Sequence, residues 1–184
     1  MNTANPTLAD TMLRPRGPTA RAIHGIHALF ARIPEDAIKL LARVSLAVTF
    51  WTSGQTKVEG FVLDPIGWDI EFGMPHVSCT AIELFRSEYA LPLIDPVLAT
   101  YMAAIAEHVL PVLLLLGLAT RLSAFSLLVM TLVIQVFVYP SAYPTHGLWA
   151  ALLLYLMARG PGVISLDRLI ARRHASKHLA HGQD

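Results

Sequence analysis

The sequence predicts an all-α integral membrane protein: a four-helix bundle with both termini cytoplasmic and a long extracytoplasmic loop between helices 1 and 2. Three observations carry this. Apolar residues make up 54% of the 184 and charged residues only 15%, with a mean hydropathy of +0.53. A soluble domain carries about a quarter charged residues. The apolar residues are also collected into membrane-length blocks rather than spread at a strand or surface-helix period. Finally, the charges are sorted by sign between the connecting segments. One membrane domain, residues 37–159, is expected between a cytoplasmic N-terminal segment, 1–36, and a basic cytoplasmic tail, 160–184.

Residues 1–18 are polar and contain proline, and disorder is expected there. Over residues 19–33, Ile23, Ile26, Phe30 and Ile33 recur at helical spacing beside Arg21 and Arg32. That pattern suits a short basic amphipathic helix on the membrane surface, and equally a loosely ordered tail. No secretory signal is visible in residues 1–36, so the first span is expected to direct insertion. Spans are expected at residues 37–56, 97–119, 122–139 and 146–158. The last is short for a ~30 Å core, which needs about 20 residues. It is expected to extend through Tyr143 or Arg159, or to sit in a thinned bilayer. In the long loop, residues 80–89 form a candidate amphipathic helix with Ile82, Leu84, Phe85 and Tyr89 on one side. Pro92 and Pro96 then lead into the second span, since proline is tolerated at a helix start. Trp51, Trp68, Tyr139, Tyr143 and Trp149 fall near the expected outer interface, where amphipathic rings are favoured.

Charge sets the orientation. Arg14, Arg16, Arg21, Arg32 and Lys39 precede or open the first span; Arg159, Arg168, Arg172, Arg173 and Lys177 follow the last. Arg121 sits between the second and third. The long loop carries Glu59, Asp64, Asp69, Glu71, Glu83, Glu88 and Asp95 against Arg86. By the positive-inside rule, the termini and Arg121 are cytoplasmic and the acidic loop is outside.

Several polar residues interrupt the apolar runs. Glu107 lies in the middle of the second span, where a carboxylate costs roughly 2.5–3.5 kcal/mol on insertion scales. Helix rise puts Arg43 about 9 Å in from the inner face and Glu107 about 15 Å in from the outer face. Across a ~30 Å core their depths differ by about 6 Å, so a buried pair is feasible. The alternative is that Arg43 snorkels and Glu107 is neutral. Arg43, Phe50, Gly54 and Lys57 share one stripe of the first span; Thr131, Gln135 and Tyr139 form a polar stripe on the third. Pro111 frees the carbonyl of Glu107. His108 and His146 differ in depth, a poor geometry for bis-histidine haem ligation. Met74, His76 and Cys79 form a soft-ligand cluster suited in principle to Cu(I) or zinc. A single cysteine excludes an intrachain disulfide and Cys-x-x-Cys chemistry. There is no glycine-rich phosphate loop, zinc-protease helix or nucleophile elbow.

The run Arg43-Val-Ser-Leu-Ala-Val-Thr-Phe-Trp-Thr-Ser-Gly-Gln-Thr-Lys57 and Glu107, with its leucine-rich continuation to Gly117-Leu-Ala-Thr-Arg121, resemble the DoxX-like family of small bacterial integral membrane proteins. The resemblance covers most of residues 37–159. It implies a multi-pass four-helix bundle in the bacterial cytoplasmic (inner) membrane. Some members look like quinone-linked subunits of sulfur or thiosulfate oxidation; others look like membrane partners of redox-stress enzymes. The acidic loop and the segment Tyr139-Pro-Ser-Ala-Tyr-Pro-Thr-His146-Gly-Leu-Trp149 are similar to a further branch, which accompanies multinuclear iron oxygenases that modify copper-binding peptides.

The implied function is a redox-associated, quinone-linked membrane subunit acting with other proteins. The alternative is a non-enzymatic adaptor or export aid in metal or oxidative-stress handling. For the first, Arg43, Glu107, His108 and Gln135 are the catalytic candidates, and Arg43, Gly54, Lys57, Glu107 and Gln135 the candidates for holding quinone. For the second, Arg43–Glu107 is a structural clamp, and Met74, His76 and Cys79 dock a metal or peptide. Membrane lipid and a protein of a redox or metal-handling system are the expected partners, with no nucleic acid. Homo-oligomerisation is left open.

Overall fold

The computed structural model describes residues 17–64 and 66–181. The disorder expected for residues 1–18 therefore falls outside the description, apart from Gly17 and Pro18. Helix α1 (Pro18–Phe30) opens on a proline and exposes Ile23, Ile26 and Phe30. Helices α2 (Glu35–Gln55), α4 (Pro96–Leu116), α5 (Thr120–Val133) and α6 (Tyr143–Arg159) pack together. A π-helical turn, Ile134–Val138, prolongs α5. Pro96–Leu116 and Thr120–Val138 are each long and apolar enough to cross a membrane. The expected first and last spans form helices α2 and α6, and α6 reaches both Tyr143 and Arg159.

The interior is built from leucines and small residues. Leu46, Phe50, Leu114, Leu127, Leu153 and Leu156 are buried with Ala42 and Ala124. Phe50 lies 5.4 Å from Trp149, ring to ring. Small residues let helices approach closely, as in membrane packing. Ile105, Leu122, Phe125, Val136 and Leu154 face outward and are at least half exposed. Such an extended apolar exterior is rare on a soluble monomer.

Two features differ from expectation. The fold is not all-α: β1 (Val58–Leu63) and β2 (Ile70–Val77) form an antiparallel hairpin in the long loop. Trp51 Nε1 donates to Leu63 O at 2.7 Å, and Leu63 N donates to Gln55 Oε1 at 2.7 Å, so the hairpin is fastened to α2. Second, α2 is shifted along α4. A Cβ on Gly54 would lie 2.9 Å from the His108 ring and 3.1 Å from Glu107 Cβ. The C-terminal end of α2 therefore meets the middle of α4. The N-terminal half of α4 packs instead against α3 (Cys79–Leu84) and the π-helical turn Phe85–Tyr89. That is the helix expected at residues 80–89. It starts beside Lys57, whose carbonyl accepts from Ser78 N at 3.0 Å.

The opposite end of the bundle is held by polar caps. Helix α4 stops at Gly117, which is left-handed (φ 68°), a C-cap conformation glycine adopts without strain. Asp167, in the first turn of α7 (Leu166–His181), accepts from Ala119 N at 2.8 Å and Thr120 N at 3.0 Å, capping α5. Asp36 accepts from Val163 N at 3.0 Å.

Candidate functional site

Arg43 and Glu107 do not pair. Eleven residues separate Arg43 from Gly54, about 16 Å of helix, so Arg43 lies level with the end of α4 and not its middle. Its guanidinium donates to four main-chain carbonyls: Leu114 (2.8 Å), Leu115 (2.5 Å), Pro161 (3.0 Å) and Ile164 (2.6 Å). The first two belong to the last turn of α4, where carbonyls lack helical partners. The depth argument failed because it set residue 37 at one membrane face and residue 97 at the other, whereas the C-terminal end of α2 reaches only the middle of α4.

The partner of Glu107 is Lys57, one turn beyond Ser53 on the same stripe. Lys57 Nζ lies 2.7 Å from Glu107 Oε2, and both residues are buried. Ser53 Oγ donates to Glu107 Oε1 at 3.1 Å. Lys57 Nζ also donates to Ser53 O (3.1 Å) and Ser53 Oγ (3.2 Å). The ammonium thus donates twice to Ser53 and is ion-paired with Glu107, whose buried Oε2 has no hydrogen-bond partner among the described residues. The opposite charge at contact distance is what lets both groups stay buried.

This network forms part of the wall of a cavity of about 520 Å³ between α2, α4, α5 and α6. Thr49, Phe50 and Ser53 line it from α2; Met102, Ala103, Ala106 and Glu107 from α4; Ser126, Val129 and Met130 from α5; and His146 and Trp149 from α6. Phe85, Tyr89 and Tyr139 lie toward one end. Met102 and Val129 line the cavity yet are about half exposed, so it opens sideways between α4 and α5.

The other candidates are distributed around this space. Gln135 holds His146, with its Oε1 2.8 Å from His146 Nδ1, while Gln135 Nε2 donates to Pro140 O at 2.7 Å. His108 turns away from the cavity into a second cleft between α4 and the hairpin, lined also by Phe61, Val77 and Ile105. Its Nδ1 lies 2.7 Å from Ala104 O and its Nε2 2.8 Å from Gln55 Nε2. Gly54 gives α2 room against α4. Met74 and His76 lie on β2, His76 is 3.5 Å from Glu59, and Cys79 is exposed at the start of α3. No group of three His, Cys, Asp or Glu able to hold a metal forms among the described residues. His146 as a cavity residue, Ser126, and the Lys57–Glu107 pairing were missed; the shared stripe of Gly54 and Lys57 was the signal that could have found the last.

The DoxX family model matches residues 38–140, more than half of the chain. No curated protein and no solved structure gives a significant match.

Proposed function

The chain belongs to the DoxX family, and on that premise we propose that it is a quinone-linked subunit of the bacterial inner membrane, whose interhelical cavity receives a quinone head group. One observation carries the reading: an apolar cavity of about 520 Å³, open sideways between two membrane-length helices, has the buried Lys57–Glu107 network and His146 in its wall. A lipid-soluble ring with a polar edge and a hydrocarbon tail suits a concave apolar site with a few placed polar groups. The tail would leave past Met102 and Val129. Bound quinone would supply two-electron chemistry; the chain itself would bind and orient the ring and exclude water. Glu107 and Lys57 keep their candidate roles here, whereas Arg43 and Gln135 act through structure and His108 faces elsewhere. Electrons would have to come from a protein partner, since the chain has one cysteine and no second redox group of its own.

The same proposal gives the chain four crossings with both termini cytoplasmic. The first crossing is composite, α2 for the inner part and α3 with its π-turn for the outer part. The test is binding: the chain in lipid nanodiscs is titrated by calorimetry with a decyl-substituted benzoquinone and its quinol. Micromolar binding that is blocked by Ala106→Trp, which fills the cavity, is expected. Binding of neither form would sink the proposal.

A second reading, a non-enzymatic adaptor or export aid in metal or stress handling, draws on the hairpin. It exposes Met74 near the His76–Glu59 pair, Phe72 further along β2 and Trp68 in the connecting turn. Cu(I) and zinc titrations with His76→Ala and Cys79→Ser controls test it. Lack of binding up to the micromolar range counts against a metal role.

A further inference from the structure

We infer that the cavity selects the reduced, hydroxyl-bearing form of its ligand, the quinol, and that His146 makes the selection; this rests on the quinone-site reading above. The basis is the supply of donors and acceptors around the wall. A main-chain carbonyl only accepts, so the bond to Pro140 O fixes the Gln135 amide with Nε2 toward Pro140 and Oε1 toward His146. In the neutral ring, Nδ1 then carries the proton and Nε2 keeps a lone pair. His146 is only 6% exposed and lines the cavity, and its Nε2 has no partner among the described residues. The ring is also held against Trp149, 5.1 Å between centroids.

The donors that a quinone carbonyl would need are mostly committed. Lys57 donates to Ser53 O and Oγ and is ion-paired with Glu107, and the Ser53 hydroxyl goes to Glu107. The Ser126 hydroxyl, the Tyr89 phenol and the Trp149 indole are the wall donors without an assigned acceptor among the described residues; none is charged. His146 Nε2 faces the ligand as an acceptor. A quinol hydroxyl can donate to it. A quinone offers only carbonyl lone pairs and would leave the buried His146 lone pair unsatisfied. A site built to bond a hydroxyl rejects the analogue that lacks it, because its own polar group is then stranded.

The test compares the two ligand forms in one protein. In anaerobic calorimetric titrations, decyl-benzoquinol is expected to bind at least about tenfold tighter than decyl-benzoquinone, the effect of one unsatisfied buried group. His146→Gln presents both a donor and an acceptor and should bring the ratio close to one. If that variant does not fold, ¹⁵N-histidine NMR of the unsubstituted chain reads the same point: a proton on Nδ1 and a pyridine-type Nε2 are expected. Equal affinity for the two forms, tighter quinone binding, or a protonated Nε2 overturns the selection and leaves the quinone site standing. Binding of neither form overturns both.

Discussion

Glu107 is tolerable inside the bundle because Lys57 meets it at 2.7 Å and Ser53 donates to its other carboxylate oxygen. Removing one member strands the other. Glu107→Leu or Lys57→Met is expected to destabilise by about 3–5 kcal/mol, while the double variant should recover much of the loss. Thermal unfolding of detergent-solubilised protein measures this; single variants as stable as the parent would show that the pair is not coupled. Arg43 makes a different prediction. Its planar fork satisfies four carbonyls at once, a geometry lysine cannot copy. Arg43→Lys should cost about 2–3 kcal/mol of stability and leave the quinol-to-quinone affinity ratio unchanged, because Arg43 does not line the cavity. Both residues stood out in the sequence as charges inside apolar runs. Their partners did not, because a pairing depends on how far one helix slides past another, and composition carries no record of that.

At the scale of elements, the slide of α2 against α4 is set by Gly54. A methyl there would meet His108 and Glu107 at 2.9–3.1 Å, so Gly54→Ala should force the helices apart and cost about 1–3 kcal/mol. Calorimetric unfolding checks this, and a neutral outcome would mean that the helices adjust freely. The four long helices were legible from their apolar blocks, and the short helix after the loop from its amphipathic spacing. The hairpin was also partly legible. Val58 to Leu63 and Ile70 to Val77 are rich in β-formers, but Gly60, Gly73 and four carboxylates made the region read as loop. The two π-helical turns were not legible, since their stability comes from packing against each other. Tyr139 pins them by donating to Glu88 at 2.5 Å, and that bond raises the Tyr139 pKa above its usual value. A raised pKa means that the folded state favours the protonated phenol. The stabilisation is therefore complete below about pH 10 and falls as pH rises further. Tyr139→Phe should flatten the alkaline loss of stability, measured as melting temperature between pH 9 and 11.

Across the described residues, several of the basic side chains that argued for orientation gather at one end. Arg43 holds Pro161 and Ile164, Arg159 lies 3.6 Å from Glu35, and Arg121 lies beside Gly160. Glu83, Glu88 and Asp95 lie on the elements at the other end, next to the start of α4 and the end of α5. The fold thus brings together charges that are far apart in sequence, and the positive-inside bias becomes a property of one surface. Because α2 alone runs alongside only part of α4, the proposed first crossing needs α3 as well, and the proposed orientation rests on that composite crossing holding. Cysteine accessibility decides it. With Cys79 replaced by serine, Leu93→Cys, 92% exposed in the turn before α4, should react with a membrane-impermeant maleimide added to intact cells. Ala119→Cys, exposed in the α4–α5 turn, and Ala171→Cys, exposed on α7, should react only after the membrane is opened. Labelling of Leu93→Cys and Ala119→Cys from the same side would mean that α4 does not cross. It would also remove the lateral opening between α4 and α5 from the lipid, and with it the route by which a quinone tail could leave the cavity.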